Sequence, residues 1–255
     1  MTTWRCHDCF HGMPQGTTAG GIAVVIDVLR ASTTIATAIA GGAAAVVPTG
    51  DIDSARRLAA ALPKPVLTGG ERGGLPIDGF DLGNSPLEYS ADRVRGRSVV
   101  ITTTNGTAAL DACRDAAVVL IGAIVNRAAV GKAAREAALR LAQPVHLVCA
   151  GTDGTVTEED LLGAGAILDA AAADGDDLDP AAARARDLFR NVAGSLSGRG
   201  LEEAIARSFA ATAGGRNLIA IGMEADLPVA AAIDSLDVVP VLDASGNLVA
   251  TPLPR

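Results

Sequence analysis

Short runs of β-branched and other apolar residues recur along the chain, and nearly every run is followed by a segment with helical periodicity. The predicted strands are residues 22–27, 44–47, 65–68, 98–102, 117–121, 144–149, 217–221 and 237–242. The predicted helices are residues 32–40, 53–62, 105–113, 126–141, 158–173, 180–191, 199–212 and 224–233. Strands this apolar need cover on both faces, so the pattern predicts a layered α/β/α fold with a largely parallel or mixed sheet.

The composition limits which residues can form the core and which classes of partner the protein can bind. Only 2% of the residues are aromatic whereas 49% are apolar, so the core must consist mainly of Ala, Val, Leu and Ile. A formal net charge of −8 argues against binding to nucleic acid or to anionic membranes, because both require a basic surface. No apolar run approaches the roughly 18 residues of a membrane span, and the N-terminal residues lack the apolar core of a signal peptide. We therefore expect a cytoplasmic protein, and the composition leaves a homo-oligomer open.

The length of 255 residues allows one large α/β domain or two lobes. We expect a single domain over residues 1–255, in which the acidic loop near residues 174–180 is the best candidate for a boundary between lobes. Cys6 and Cys9 form one C-x-x-C motif, but no second ligand pair follows at zinc-site spacing, so we do not expect a structural zinc ion.

Residues 99–107, Val-Val-Ile-Thr-Thr-Thr-Asn-Gly-Thr, lead from a buried strand into a row of hydroxyl groups. Asn105 and Gly106 tolerate the backbone conformations of a tight turn, and a helical pattern begins at Thr107. Alone, such a corner could be an ordinary capped turn. The strands 22–27 and 144–149 also lead into loops rich in hydroxyl groups or glycine, and the carboxyl ends of parallel strands share one edge of a sheet. The three loops together therefore predict one anion-binding pocket.

Carboxylates and arginines accompany these loops. Asp27 ends one apolar strand and precedes Arg30 by three residues, so the pair could bind Mg²⁺ and an anion, or could form an ion pair with each other. The long glycine-rich loop at residues 69–86 carries Glu71 and Asp81, which are candidate metal ligands or bases, and Arg72, a candidate anion clamp.

The sequence lacks the motifs of several common phosphate-handling and hydrolytic enzymes. It contains neither a Walker P-loop nor a G-x-S-x-G nucleophile elbow. Cys149 is not followed by the Arg of a cysteine phosphatase loop, and Asp27 has no second Asp two positions later. Metal-assisted attack by water remains as the mechanism that the acidic residues favour.

Several of these segments, in this order along the chain, resemble the 2-phosphosulfolactate phosphatase (ComB) family of coenzyme M biosynthesis. The resemblance rests on IDVLRASTT at 26–34, GGERGG and GFDLGNSPLEY within 69–89, VITTTNGT at 100–107, CAGTDGTVTEED at 149–160 and IGMEADLPVAAAIDSLDVVPVL at 221–242. It implies a ComB-like α/β fold and the Mg²⁺-dependent hydrolysis of (2R)-2-phospho-3-sulfolactate to sulfolactate and phosphate. The implied partner is a small anionic phosphorylated substrate.

Matching positions imply a set of site residues. The implied catalytic carboxylates are Asp27, Glu71 and Asp81, of which Asp27 and Asp81 would bind the metal and Glu71 would act as base or third ligand. The implied substrate-binding residues are Arg30, Arg72, Asn84, Ser85, Thr103, Thr104, Asn105, Gly106, Asp153 and Glu159. The threonine row would cradle the phosphoryl oxygens. A second hypothesis is a catalytically silent protein that binds small anions and retains the fold, and a phosphotransferase is disfavoured because no nucleotide motif is present.

Overall fold

The structure is a computed structural model that describes residues 1–250. Within these residues the strands are β1 (Thr3–His7), β2 (Ile22–Ile26), β3 (Ala45–Pro48), β4 (Val66–Arg72), β5 (Leu75–Pro76), β6 (Ser98–Thr102), β7 (Val118–Gly122), β8 (Val145–Cys149), β9 (Asp177–Leu178), β10 (Pro240–Leu242) and β11 (Leu248–Ala250). The helices are α1 (Ala31–Ala40), α2 (Ile52–Ala61), α3 (Ala91–Val94), α4 (Gly106–Asp111), α5 (Arg127–Leu141), α6 (Glu158–Ala171), α7 (Pro180–Ala193), α8 (Gly198–Ala211), α9 (Ala213–Ala220) and α10 (Asp226–Ala230).

These strands form one mixed sheet in the order β5-β4-β6-β3-β11-β10-β7-β2-β8-β1-β9. The strands β4, β6 and β3 form one parallel block, and β7, β2, β8, β1 and β9 form another. The β10–β11 hairpin joins the blocks and is antiparallel to both β7 and β3. The predicted layered α/β fold with a mixed sheet is therefore confirmed.

The two parallel blocks run in opposite directions along the sheet, because three successive antiparallel pairings separate β3 from β7. The expectation that the carboxyl ends of these strands share one edge of the sheet therefore holds only within each block. One core cluster nevertheless contains residues of both blocks and of the helices α1 and α4, among them Val25, Val119, Leu67, Ile101 and Ile35. Both blocks therefore pack on α1 and α4, and the loops after β2 and β6 come together, since a Cβ at Gly106 would lie 2.6 Å from Asp27 Oδ2.

A second core lies on the other face of the β7–β2–β8–β1 block. Val24 and Ile26 face this core whereas Val25 between them faces the first, as the alternation of a strand requires. Helices α5 to α8 cover it, and Phe189 and Phe209 are among its largest fully buried side chains. A smaller cluster packs α2 on β3 and β6. Both faces of the central strands are therefore covered, which explains their continuous apolar runs.

Several parts of the secondary structure differ from the sequence prediction, including the short strands β5, β9 and β11 and the short helix α3, none of which was predicted. Residues 217–221 were predicted as a strand, but residues 213–220 form the helix α9. The strand β1 was not predicted, although the sequence Thr-Trp-Arg-Cys-His alternates polar and apolar residues in the pattern of a half-buried strand, with Trp4 and Cys6 buried. The helices on either side of residues 174–179, α6 and α7, pack in the same core. Among residues 1–250, no helix has both the length and the apolar character that a membrane span needs.

Candidate active site

The loops after β2, β4, β6 and β8 and the first turns of α6 and α9 line one cavity of about 490 Å³. Every loop that the sequence analysis singled out contributes to it. The predicted site residues that line the cavity are Asp27, Arg30, Glu71, Asn84, Thr104, Asn105, Asp153 and Glu159. The loops that the sequence predicts to converge therefore line one cavity, although the two sheet blocks run in opposite directions.

Asp27 lies at the end of β2 and is only 9% exposed. Its Oδ1 accepts the backbone N–H of Ala31 at 3.2 Å. A Cβ atom at Gly106 would lie 2.6 Å from the other carboxylate oxygen, so glycine at this position allows α4 to begin next to Asp27. Burial raises the pKa of Asp27 to about 7, and the neighbouring Glu71 and Glu159 carboxylates act in the same direction.

Glu71 is held by two backbone N–H groups. Its Oε1 accepts from Thr104 N at 2.7 Å and its Oε2 accepts from Gly74 N at 2.7 Å. The carboxylate thereby ties the loop after β6 to the turn between β4 and β5. Each oxygen keeps a further lone pair, so this fixed group can still accept a proton or a hydrogen bond inside the cavity.

Two buried oxygens in the cavity wall have no hydrogen-bond partner among the described residues, namely Glu159 Oε2 and Asn84 Oδ1. Glu159 is 3% exposed, and Asn84 is 4% exposed. Burial raises the pKa of the Glu159 carboxyl group. An unpartnered buried acceptor costs free energy, so each of these oxygens is suited to a cation or a hydrogen-bond donor.

Arg30 lines the cavity as one half of a buried ion pair. Its Nη1 donates to Asp226 Oδ2 at 2.8 Å and its Nη2 donates to the backbone oxygen of Gly74 at 2.6 Å. Ser85 Oγ donates to the other oxygen of Asp226 at 2.5 Å. The ion-pair partner of Arg30 is therefore Asp226 in α10, and not Asp27, and the guanidinium keeps further N–H donors.

The predicted metal set of Asp27, Glu71 and Asp81 needs correction. Asp81 is exposed and does not line the cavity. Its Oδ2 accepts hydrogen bonds from the backbone N and the Oγ1 of Thr68, at 2.8 and 2.9 Å. Within residues 1–250, no group of three or more His, Cys, Asp or Glu side chains is arranged to hold a metal ion. Asp81 closes its own loop instead.

The structure also places four predicted substrate-binding residues outside the cavity lining. Arg72 donates to Thr102 Oγ1 and to the backbone oxygen of Glu71. Thr103 Oγ1 accepts from the backbone N of Thr107 in the first turn of α4. The other two are Ser85, which bonds to Asp226, and Gly106, which packs against Asp27. Their polar groups satisfy local partners, so only Thr104 and Asn105 of the predicted phosphate cradle face the cavity.

Sequence reasoning missed four residues of this region. Asp160 and Asp226 are buried carboxylates that hold the loops, and Gly214 and Asn217 of α9 line the cavity. The spacing of Thr157 and Asp160 at the start of a predicted helix is a recognised capping pattern that could have indicated Asp160. The residues of α9 were missed because residues 217–221 were predicted as a strand.

Comparison with known proteins identifies the family of this chain. The family model described as 2-phosphosulpholactate phosphatase matches residues 10–245. A "Probable 2-phosphosulfolactate phosphatase" of Symbiobacterium thermophilum is 41% identical over 231 residues, which are 89% of this chain and 94% of that protein. Proteins of the same name from Gloeobacter violaceus and Deinococcus radiodurans are 38% and 40% identical, over 93% and 87% of this chain and 94% and 87% of their own lengths. The chain therefore belongs to the 2-phosphosulfolactate phosphatase family.

Proposed function

We propose that this protein is a Mg²⁺-dependent phosphatase that hydrolyses (2R)-2-phospho-3-sulfolactate, or a similar small acidic phosphohydroxy acid, to sulfolactate and phosphate. Membership of the family supports the reaction and the substrate class. The observation that carries the proposal is the cavity itself, which Asp27, Glu71, Asn84 and Glu159 line and in which one buried oxygen each of Asn84 and Glu159 has no partner among the described residues.

The charges of the cavity favour a cation as cofactor. The proposed substrate carries a phosphate, a carboxylate and a sulfonate, whereas the only cationic side chain lining the cavity in the described part of the chain is Arg30, already paired with Asp226. The lining carboxylates are Asp27, Glu71, Asp153, Glu159 and Asp160. An anionic substrate would be repelled from such a wall unless a divalent cation neutralised part of the charge.

The donor set suits Mg²⁺. This ion prefers oxygen ligands and is commonly held by one or two carboxylates together with waters and substrate phosphate oxygens, so a closed cage of protein ligands is not required. Asp27 and Glu159 would hold it, with Asn84 Oδ1 as a further oxygen, because Glu159 Oε2 and Asn84 Oδ1 lack partners within the described chain. When bound, Mg²⁺ would neutralise phosphoryl charge and lower the pKa of a coordinated water.

The protein's own groups have separate roles in this proposal. Glu71, oriented by two backbone N–H groups, accepts a proton from the attacking water. The remaining N–H donors of Arg30 bind substrate oxygens and stabilise the charge that develops on them. Thr104 and Asn105 add neutral donors at the end of β6, and Asn105 Oδ1 accepts the backbone N–H of Asp153 at 3.3 Å.

Phosphate release from 2-phosphosulfolactate and related phospho-acids, with Mg²⁺ or with EDTA, tests the proposal. We expect turnover with Mg²⁺ and none with EDTA. Calorimetric titration with Mg²⁺ should show at least tenfold weaker binding for Glu159→Gln. Glu203→Gln is the matched control, because Glu203 forms an exposed ion pair with Arg199 on α8. Absence of turnover for every phospho-acid would refute the phosphatase, and substrate binding without turnover would establish the silent anion-binding protein instead.

A further inference from the structure

We propose that Asp160 is a positioning residue that fixes the loop after β2 relative to the loop after β8, and thereby sets the place of Asp27 in the cavity. The catalytic consequence of this inference rests on the proposed phosphatase function. The positioning itself can be measured without any turnover.

Asp160 joins three segments through one carboxylate. It is 3% exposed and lies in the first turn of α6. Its Oδ1 accepts the backbone N–H of Val28 at 2.8 Å. Its Oδ2 accepts the backbone N–H of Gly151 at 2.9 Å and the hydroxyl of Thr157 at 3.0 Å. Val28 directly follows Asp27, so the carboxylate restrains the backbone next to the proposed metal ligand.

Asp160 restrains the chain just beyond the last paired residues of β2 and β8. The register between β2 and β8 ends at Ile26 and Cys149, and Ala150 N donates to the backbone oxygen of Ile26 at 2.8 Å. The N–H groups held by Asp160 belong to the residues just beyond this point. Asp160 therefore extends the connection between the two strands into the loops that line the cavity.

The loop after β8 is closed by hydrogen bonds of its own, so a restraint at Gly151 acts on the whole turn. Thr152 and Thr155 exchange backbone hydrogen bonds at 2.9 and 2.8 Å. Gly151 has a φ of +63°, and a Cβ there would lie 2.5 Å from the backbone oxygen of Thr155. Asp153 lies in this turn, and its backbone N–H donates a hydrogen bond to Asn105 Oδ1 in the loop after β6. A shift at Gly151 would thus be transmitted to two walls of the cavity.

Only a carboxylate satisfies the donors around Asp160. Two backbone N–H groups point at different oxygens, and a carboxyl group offers an acceptor oxygen to each. An asparagine has one acceptor oxygen, and its NH₂ group would face one of the two N–H donors. The substitution Asp160→Asn therefore preserves the shape of the side chain and removes at least one of the two loop contacts.

Hydrogen–deuterium exchange of Asp160→Asn tests the positioning role, and Asp176→Asn is the matched control. Asp176 is also buried and accepts the backbone N–H groups of Thr2 and Ala173, but it does not line the cavity. For Asp160→Asn we expect at least fivefold faster exchange in peptides covering residues 26–31 and 149–156. We also expect at least a tenfold lower kcat and a KM changed less than threefold. Asp176→Asn should lower the melting temperature and leave these quantities unchanged.

Wild-type exchange rates in both peptides, or a kcat within twofold of the Asp176→Asn protein, would overturn the inference. If Asp160→Asn does not fold, Thr157→Val removes one donor and keeps the carboxylate, and it should speed exchange in residues 149–156 at least twofold. Unchanged exchange in that variant would also overturn the inference. Failure of the wild-type protein to release phosphate would refute the proposed function, whereas the exchange experiment would still test the contact.

Discussion

The buried ion pair between Arg30 and Asp226 should be one of the largest single contributions to stability that a conservative substitution can remove. In Asp226→Asn the amide oxygen can still accept from Arg30, and the NH₂ group can donate to the rotatable hydroxyl of Ser85. The volume and the hydrogen-bond count are therefore nearly preserved. What is lost is the negative charge that compensates a buried guanidinium.

The magnitude follows from the burial of the pair. The side chains of Arg30 and Asp226 are 3% and 2% exposed, and removing one partner of such a pair costs about 3–5 kcal/mol. For a chain of this size, each kcal/mol lowers the melting temperature by about 2–4 °C, so we expect a decrease of about 6–20 °C. The exposed pair of Arg5 and Asp177, with 38% and 48% exposure, supplies the control. Asp177→Asn should cost less than about 1 kcal/mol.

Urea unfolding and calorimetry at pH 7 of Asp226→Asn, Arg30→Gln and the double variant measure the effect. Because the double variant leaves neither charge buried alone, it should be less destabilised than the sum of the two single variants. A cost for Asp226→Asn no larger than that of Asp177→Asn would refute the reasoning. Strict additivity in the double variant would refute it as well, since the two charges would then be independent.

Two further substitutions test local features. Burial lowers the pKa of His146 from 6.5 to about 4, and its Nδ1 lies 3.0 Å from His7 Nε2. The unfolded chain therefore takes up a proton before the folded one, so stability that is present above pH 6.5 is lost as the pH falls towards 4. Urea unfolding from pH 8 to pH 4 should show this loss for the wild type and a much flatter profile for His146→Gln. A methyl group at Gly214 would overlap Oε1 of Glu159, so Gly214→Ala should weaken Mg²⁺ binding in a calorimetric titration, whereas Gly200→Ala in α8 has room and should leave it unchanged.

The central strands and the converging loops could be predicted because they depend on local signals. The strands β2, β7 and β8 are buried at every position, in agreement with their largely apolar runs of strand length. Hydroxyl-rich or glycine-rich sequences directly after β2, β6 and β8 mark strand-to-helix turns. Since binding residues lie on such turns in α/β proteins, Asp27, Thr104 and Asp153 were found without any knowledge of the sheet order.

The strand directions and the helix α9 depend on non-local contacts. The hairpin of β10 and β11 reverses the strand direction between the two blocks. Its pairing with β3 and β7 cannot be inferred from the sequences of the loops that line the cavity. Residues 217–221 form a short apolar run whose periodicity does not distinguish a buried strand from a helix. The helix is fixed instead by Thr212, whose Oγ1 accepts the backbone N–H of Gly215 at 3.1 Å.

The contrast between Glu71 and Asp81 explains why residue type alone could not assign roles within the site. Both are acidic residues of one glycine-rich loop region, and both accept hydrogen bonds from backbone N–H groups. In the register of β4 with β6, Gly70 lies opposite Thr102, so Glu71 necessarily lies beside the loop that begins after Thr102. Asp81 binds Thr68, which lies inside the ladder opposite Val100, two residues before the end of β6. One carboxylate therefore reaches the cavity and the other closes a surface loop, and the difference is a strand register that only the folded sheet defines.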